Sequence, residues 1–461
     1  MALTFEQCWR ESPGGTGVAA VELGRALAAR DDMEVIGVAG RHRRAATAGY
    51  EPTVAVAQLP LAGPLLVESS LRFGWPRIER ATGPVDVLHA TSIIPFASAP
   101  QVPLVVTVHD LAFLHHPQYF TARGRDVFAR SLDIIRTRAT LVLCSSRATL
   151  DDCLGNGFLP ERLRLVPLGV RLRSANPAQV ADVRRRHALP AEYLLFVGTL
   201  EPRKNLPRLL DAHAALGATV PPLVVVGAAG WGDDDLAARL AMSPRVMFAG
   251  HVPDVDLPAI YAGASVMCYP SLMEGFGMPV LEAMSHGTAV VTSAGTSTQE
   301  VAGGAAVLVD PLSVKSIADG IRDALERRYE LSQLGSERAK GATWESTASL
   351  VVRAYRDALE MVGSWPALPS TCCGACLATL VAPSSILCVN CAACNKPRRV
   401  NSWWMCMRHL AWWLRTANLL AMCSCTNQHP PSIVERCGSG VKQRGLPPTL
   451  AVQMLCIMAV G

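Results

Sequence analysis

The chain has 461 residues, half of them apolar, with 43 Lys+Arg against 38 Asp+Glu and 15 cysteines. That length exceeds one ordinary domain, and apolar runs broken often by Gly and Pro suit a globular α/β protein. Residues 365–461 carry eight of the basic residues and one acid, Glu435, so residues 1–364 hold 35 basic against 37 acidic, which leaves nucleic acid without support as a partner.

No basic-then-apolar leader opens the chain and no uncharged run of about 18 apolar residues occurs, so a cytoplasmic protein is expected. Four cysteines (Cys8, Cys144, Cys153 and Cys268) lie scattered in apolar surroundings within residues 1–364 and read as buried thiols.

In chain order, "MALTFEQCWRESPGG" offers only a weak first strand. "SPGGTGVAAVELGRAL" (12–27) is a glycine-rich turn opening a helix. Gly14, Gly15 and Gly17 let backbone approach a ligand, and the free N–H groups of a helix start suit an anion. It lacks the G-x-G-x-x-G spacing and the later acid of a nicotinamide site, and a plain tight turn reads equally well. "PLVVTVHD" (103–110) is a buried strand with His109 and Asp110 directly after it. That is where a doubly wound sheet presents functional side chains, although position alone leaves a structural histidine equally open. "ATLVLCSS" (139–146) is the next strand, and residues 170–190 contain none, which predicts the connection between two α/β sets.

The second set begins with "YLLFVGTL" (193–200), followed by Arg203 and Lys204 before the helical "NLPRLLDAHAAL" (205–216). Two cations between a strand end and a helix start form a diphosphate site, the arginine as a fork and the lysine as a point charge. Further strands are predicted at 222–229, 264–271 and 288–295. None alternates strictly, as expected of parallel strands covered on both faces. Between the last two lies "SLMEGFGMPVLEAM" (271–284), with Glu274 in a glycine-rich loop and Glu282 inside a helix that Pro279 starts and Gly287 stops. Carboxylates at that spacing do not share a proton. Glu282 can accept from a ribose diol and Glu274 from a second ring, with turn N–H groups facing phosphates between them. That pattern fits a sugar nucleotide.

"VGTLEPRKNLPRLL", the stretch from "FAGHVPD" through "VLVDP", and "ATWESTASLVVRAYRDAL" together resemble the retaining family-4 glycosyltransferases of the GT-B fold. The E-x7-E spacing of Glu274 and Glu282 is that family's signature, and the likeness covers roughly residues 10–361. It implies two facing Rossmann-like doubly wound domains: an acceptor-side domain over 1–170, a nucleotide-sugar domain over 171–345, and a helix over 346–362 crossing back onto the first. It further implies that Arg203 and Lys204 hold the donor diphosphate, that Glu282 binds the ribose, and that Glu274 and His109 contact the donor sugar. Gly15, Thr16 and Gly17, with Gly275, Phe276 and Gly277, would line the donor. No cofactor or metal is implied. The donor expected first is GDP-mannose, ahead of UDP- and dTDP-sugars. The acceptor is a glycan or lipid-linked molecule, reached in the cytoplasm or by peripheral contact at the inner membrane face. Arg171 stands where the family usually has an acid, a departure expected to matter little.

Residues 363–461 fall outside the pattern. The stretch from 365 holds eleven cysteines and five of the nine tryptophans. Cys373, Cys376, Cys391 and Cys394 have the C-x2-C pairs of a zinc site, and "WWMCMRHLAWWLR" (403–415) suits a membrane surface. At this cysteine density such pairs arise by chance, so a disordered or frame-shift-derived tail is the preferred expectation. Two other functions compete with transfer: a non-catalytic sugar-nucleotide-binding scaffold and a sugar-nucleotide epimerase. Retention of Glu274, Glu282, Arg203 and Lys204 argues against the first, and the E-x7-E match against the second.

Overall fold

A computed structural model describes residues 1–11, 13–228 and 234–363, without the side chains of residues 234, 235 and 237. The four cysteines of the zinc candidate and the stretch 403–415 lie outside the described residues.

Thirteen described strands form two parallel sheets. The first contains β1 (Ala2–Thr4), β2 (Ile36–Ala39), β3 (Val56–Gln58), β4 (Leu88–Ala90), β5 (Leu104–Val108), β6 (Leu141–Cys144) and β7 (Leu163–Leu165), in the order β3-β2-β1-β4-β5-β6-β7. The second contains β8 (Leu194–Val197), β9 (Leu223–Val226), β10 (Val246–Gly250), β11 (Val266–Tyr269), β12 (Ala289–Ser293) and β13 (Val307–Val309), in the order β10-β9-β8-β11-β12-β13. The strand order reverses between β1 and β4 and again between β8 and β11. Each reversal opens a crevice at the strands' carboxyl ends, where doubly wound sheets bind ligands.

Alternation along β5 shows how helices on both faces bury the first sheet. Val105 packs in one apolar cluster with Leu23, Leu27 and Val351, while Val106 and Val108 pack in another with Leu132 and Ile135. Cys8, Cys144 and Cys153 here, and Cys268 on β11, are buried and free, with the sulfurs of Cys144 and Cys153 3.9 Å apart.

The chain crosses between the lobes twice, and the crossings touch. Val170 N–H donates to the Ala342 carbonyl at 2.9 Å, and Val170 bridges to Thr343. Gly169 lies flush on the second crossing, since a Cβ there would stand 2.3 Å from the Trp344 nitrogen. Arg171 is not idle: it donates through Nε to Glu22 at 3.1 Å, tying the crossing to the Gly14–Ala28 helix.

Part of the stretch read as a connection is helical. Pro177–Arg186 carries an Asn176/Gln179 capping box, and Arg186 binds Asp256 beside the Leu257–Gly263 helix through two 2.9 Å bonds. The Trp344–Gly363 helix returns to the first lobe, where Tyr355 Oη lies 2.7 Å from Nδ1 of the buried His89. No helix among the described residues is long and apolar enough to cross a membrane.

Candidate active site between the lobes

At the second reversal, β8 runs into Gly198 (φ +155°) and a short turn, Pro202–Lys204, that places both cations at the sheet's edge. Asn205 follows at φ +60° and is held there by donating to the Pro270 (2.9 Å) and Pro311 (2.6 Å) carbonyls. Lys204 is thereby buried, and its Nζ donates to Glu274 at 2.9 Å and to the Tyr269 hydroxyl at 2.5 Å. Arg203 donates to the other Glu274 oxygen at 2.5 Å and to Glu201 at 2.7 Å. Two residues from the β8 end and one from the β11 end therefore form a single charged cluster. Burial pushes the Glu274 carboxyl up, but the charges and hydrogen bonds of Lys204 and Arg203 outweigh it and hold the group at about 2. Arg203 is likewise desolvated, and Glu274 and Glu201 more than compensate, keeping it firmly charged.

The loop after Glu274 makes the seam between lobes. The Gly275 carbonyl accepts from Ser146 Oγ (2.7 Å), Ser145 Oγ (3.1 Å) and Thr149 Oγ1 (3.2 Å) of the first lobe. A Cβ on Gly275 would stand 2.2 Å from the His109 carbonyl oxygen. Gly277 takes φ +108° and opens the Met278–Ser285 helix. Gly15 lies across the cleft, where its Cβ would meet Met278 Cε at 2.9 Å, so the starts of the Gly14–Ala28 and Met278–Ser285 helices face each other. Two helix N-termini converging from opposite lobes favour an anion between them.

Two residues expected at the donor are packed against protein. The Phe276 ring is buried with Leu281, Val301 and Leu168 near the crossings, because the Gly275 and Gly277 backbone turns it into the core. Gly17 is buried against Pro13 and Tyr50, where a Cβ would come within 2.5 and 2.9 Å. Thr16 does reach the cleft and donates to the Pro13 carbonyl at 3.2 Å.

At the first reversal, His109 follows β5, with Nε2 3.1 Å from the Thr91 carbonyl. Thr91 is pinned in turn by Gln7 Nε2 (2.6 Å) and by the Thr4 carbonyl (2.6 Å). Burial lowers the His109 pKa despite the Thr91 carbonyl and Asp110, so the ring is neutral at pH 7. A neutral ring with Nε2–H on Thr91 keeps its Nδ1 lone pair as an acceptor. Glu282 sits one helical turn beyond the Met278 helix start and accepts from the Tyr261 hydroxyl at 2.7 Å. Burial raises its pKa, Tyr261 and Arg173 oppose the rise, and Asp254 adds to it. A cavity of about 230 Å³ lies between the lobes, lined among others by Arg10, Thr16, Ser92, His109, Asp110 and Arg203. Arg10, Tyr261, Tyr269 and the Ser145–Ser146–Thr149 grip have no local sequence signal, since only the folded cleft brings them to the motifs.

Residues 13–174 match the family model described as "Glycosyltransferase Family 4", and residues 181–341 match "Glycosyl transferases group 1". Among curated relatives, an O-antigen chain mannosyltransferase B of Escherichia coli is 34% identical over 266 residues, covering 55% of this chain and 70% of that one. A D-inositol 3-phosphate glycosyltransferase of Frankia alni is 31% identical over 401 residues, covering 77% and 97%. Among solved structures, Anabaena HepE in complex with UDP and glucose aligns with a TM-score of 0.58 at 20% identity, over 79% of this chain and 100% of that one.

Proposed function

Because the chain belongs to the family-4 glycosyltransferases of the GT-B fold, we propose that it moves a hexose, mannose first, from a nucleoside-diphosphate sugar to a glycan or lipid-linked acceptor, with retention and without a metal. GDP is the first expectation for the nucleotide. The observation that carries the reading is the Arg203–Lys204–Glu274 cluster at the β8/β11 reversal.

The chemistry follows from charge. The transition state is a sugar cation separating from a diphosphate, whose negative charge grows as the bond breaks. Fixed cations therefore stabilise it more than they stabilise the bound donor. Arg203 and Lys204 supply those cations, the two helix starts add partial positive charge, and together they do the work that a divalent ion does elsewhere. The diphosphate competes with Glu274 for the two cations, freeing that carboxylate to accept from hydroxyls of the donor sugar. Glu282 takes the ribose diol, and the Nδ1 acceptor of His109 takes a further sugar hydroxyl. The acceptor hydroxyl oxygen bonds to the anomeric carbon on the face that the phosphate leaves, and its proton passes to the departing phosphate oxygen. The Gly275 seam closes the lobes and excludes water, which suppresses hydrolysis.

Calorimetric titration of the full chain with GDP, UDP and dTDP tests the donor site, with Arg203→Ala and Glu282→Ala as controls. Micromolar binding of one nucleotide, weakened at least tenfold by each substitution, is expected. Absence of binding to all three by folded protein rejects the assignment. Anomeric configuration of the product by NMR, and turnover in the presence of EDTA, check retention and metal independence.

A further inference from the structure

Arg10 ends the short turn Glu6–Trp9 that follows β1 and lines the cavity between the lobes. Its backbone is fixed at both polar groups: Arg10 N–H donates to Gln7 O at 3.2 Å, and Arg10 O accepts from Thr47 Oγ1 at 2.7 Å. Trp9 beside it stacks on His42 at 4.5 Å and donates to the Arg44 carbonyl. The guanidinium, by contrast, has no hydrogen-bond or ion-pair partner among the described residues. Three acids around it are engaged elsewhere. Glu6 accepts from Gly40 N–H (2.7 Å) and faces His42 (3.2 Å), Glu201 holds Arg203, and Asp110 caps Ala112 N–H (3.0 Å).

Arg203, in the same cavity, is matched by two carboxylates, whereas Arg10 opens into the cleft unmatched. The residue is solvent-exposed, and the protein around it still lowers its pKa somewhat by desolvation, with Glu6 countering. The same cavity is lined by Thr16 and Ser92 and by an apolar wall of Ile93, Ile94 and Phe113. An arginine fork with spare donors matches the paired oxygens of a phosphate or carboxylate. We propose that Arg10 seats an anionic group, phosphate or carboxylate, carried by the acceptor, with the apolar wall covering the rest of that molecule. The inference rests on the reading that this cleft receives an acceptor.

The test uses the full chain saturated with whichever nucleoside diphosphate it binds, so that the donor diphosphate site is blocked. Mannose 6-phosphate, glucuronate and farnesyl phosphate are titrated against methyl α-mannoside, on wild type, Arg10→Ala and Arg10→Lys. Wild type is expected to bind at least one anionic probe at least tenfold more tightly than methyl mannoside. Arg10→Ala abolishes that preference, Arg10→Lys keeps part of it, and nucleotide affinity stays within twofold. The tightest probe identifies whether the charge belongs to a sugar phosphate, an acidic sugar or a lipid carrier. Three results overturn the proposal: no anionic preference in wild type, a preference that survives Arg10→Ala, or an equal loss of nucleotide affinity, which would give Arg10 to the donor. If no nucleotide binds at all, the function above fails, while the same probes on the unsaturated chain still read out Arg10.

Discussion

The Gly275 carbonyl accepts a 2.7 Å hydrogen bond from Ser146 Oγ, and through it the loop bearing Glu274 is locked to the lobe bearing His109. Ser146 also caps the Arg147–Gly155 helix by accepting from Thr149 N–H at 3.1 Å, so the grip is anchored to a regular element. Only glycine permits this approach, because a side chain at 275 would strike the His109 carbonyl, which is backbone and cannot swing away.

Gly275→Ala is therefore expected to hold the lobes apart without harming either one. Nucleotide affinity, set within the second lobe, stays within about threefold, while kcat falls on the order of 10²-fold, the cost of misplacing reacting groups by about an ångström. Small-angle scattering should report a larger radius of gyration than wild type. Unchanged kcat would show that this closed seam is not the reacting arrangement.

Glu274→Gln removes the negative charge that Arg203 and buried Lys204 share and leaves a single amide oxygen to accept from one of them. Loss of one member of a buried charged cluster costs about 3 kcal/mol, or roughly 6–12 °C in Tm for a lobe of this size. The carboxyl is held at about 2 against an ordinary 4.5, so the wild-type advantage is present above the ordinary value and is lost as pH falls from 4.5 toward 2. GDP should narrow the Tm gap between the two proteins at pH 7, because its diphosphate supplies the anion that the variant lacks. Thermal melts with and without GDP decide the matter. An equal GDP shift in both proteins would mean that the diphosphate does not sit on Arg203 and Lys204.

Glu282 has the opposite sign. Its folded pKa is raised, mainly by burial, so its contribution is most favourable below the ordinary carboxyl value and is lost as pH rises through the folded one. Glu282→Gln keeps an acceptor for Tyr261 and sheds the charge. It should raise Tm by about 1–8 °C at pH 7, the scale of relieving a compromise of ~0.5–2 kcal/mol kept for function. The gain should vanish in melts near pH 4, while nucleotide affinity drops at least tenfold. A variant less stable than wild type at pH 7 would contradict this account.

What is legible in the sequence divides along physical lines. β5, β11 and β12 are buried throughout with both faces covered, so unbroken apolar runs such as Leu104–Val108 announce them. β4 is three residues with a histidine at its centre, so it has no such run to show. The Pro177–Arg186 helix hides because it ends in three arginines and buries only Val183. The site divides in the same way. Arg203 and Lys204 mark a strand end, and Glu274 and Glu282 mark a loop and a helix, but the contact of Glu274 with both cations depends on β8 lying beside β11. Arg10 carries no such mark, since what distinguishes it is its place in the folded cleft without a side-chain partner among the described residues.

The crossings between the lobes allow a last prediction, in which two neighbouring residues separate by magnitude. Gly169 is pressed against backbone on both sides of the Thr343–Trp344 peptide, with a Cβ placed 2.3 Å from the Trp344 nitrogen and 2.4 Å from the Thr343 carbonyl carbon. Neither atom can move without breaking the Val170–Ala342 hydrogen bond or displacing the start of the Trp344–Gly363 helix. Gly169→Ala is therefore expected to cost about 1–3 kcal/mol, as overpacking does. Arg171, two residues on, makes a partly exposed ion pair with Glu22, and solvent screening limits such a pair to ~1 kcal/mol or less. Arg171→Ala should accordingly lower stability only slightly, and about 0.5 M NaCl should shrink the difference further. Urea denaturation of both variants beside wild type checks the order. A larger loss for Arg171→Ala than for Gly169→Ala would mean that the ion pair, rather than the backbone contact, holds the crossings together.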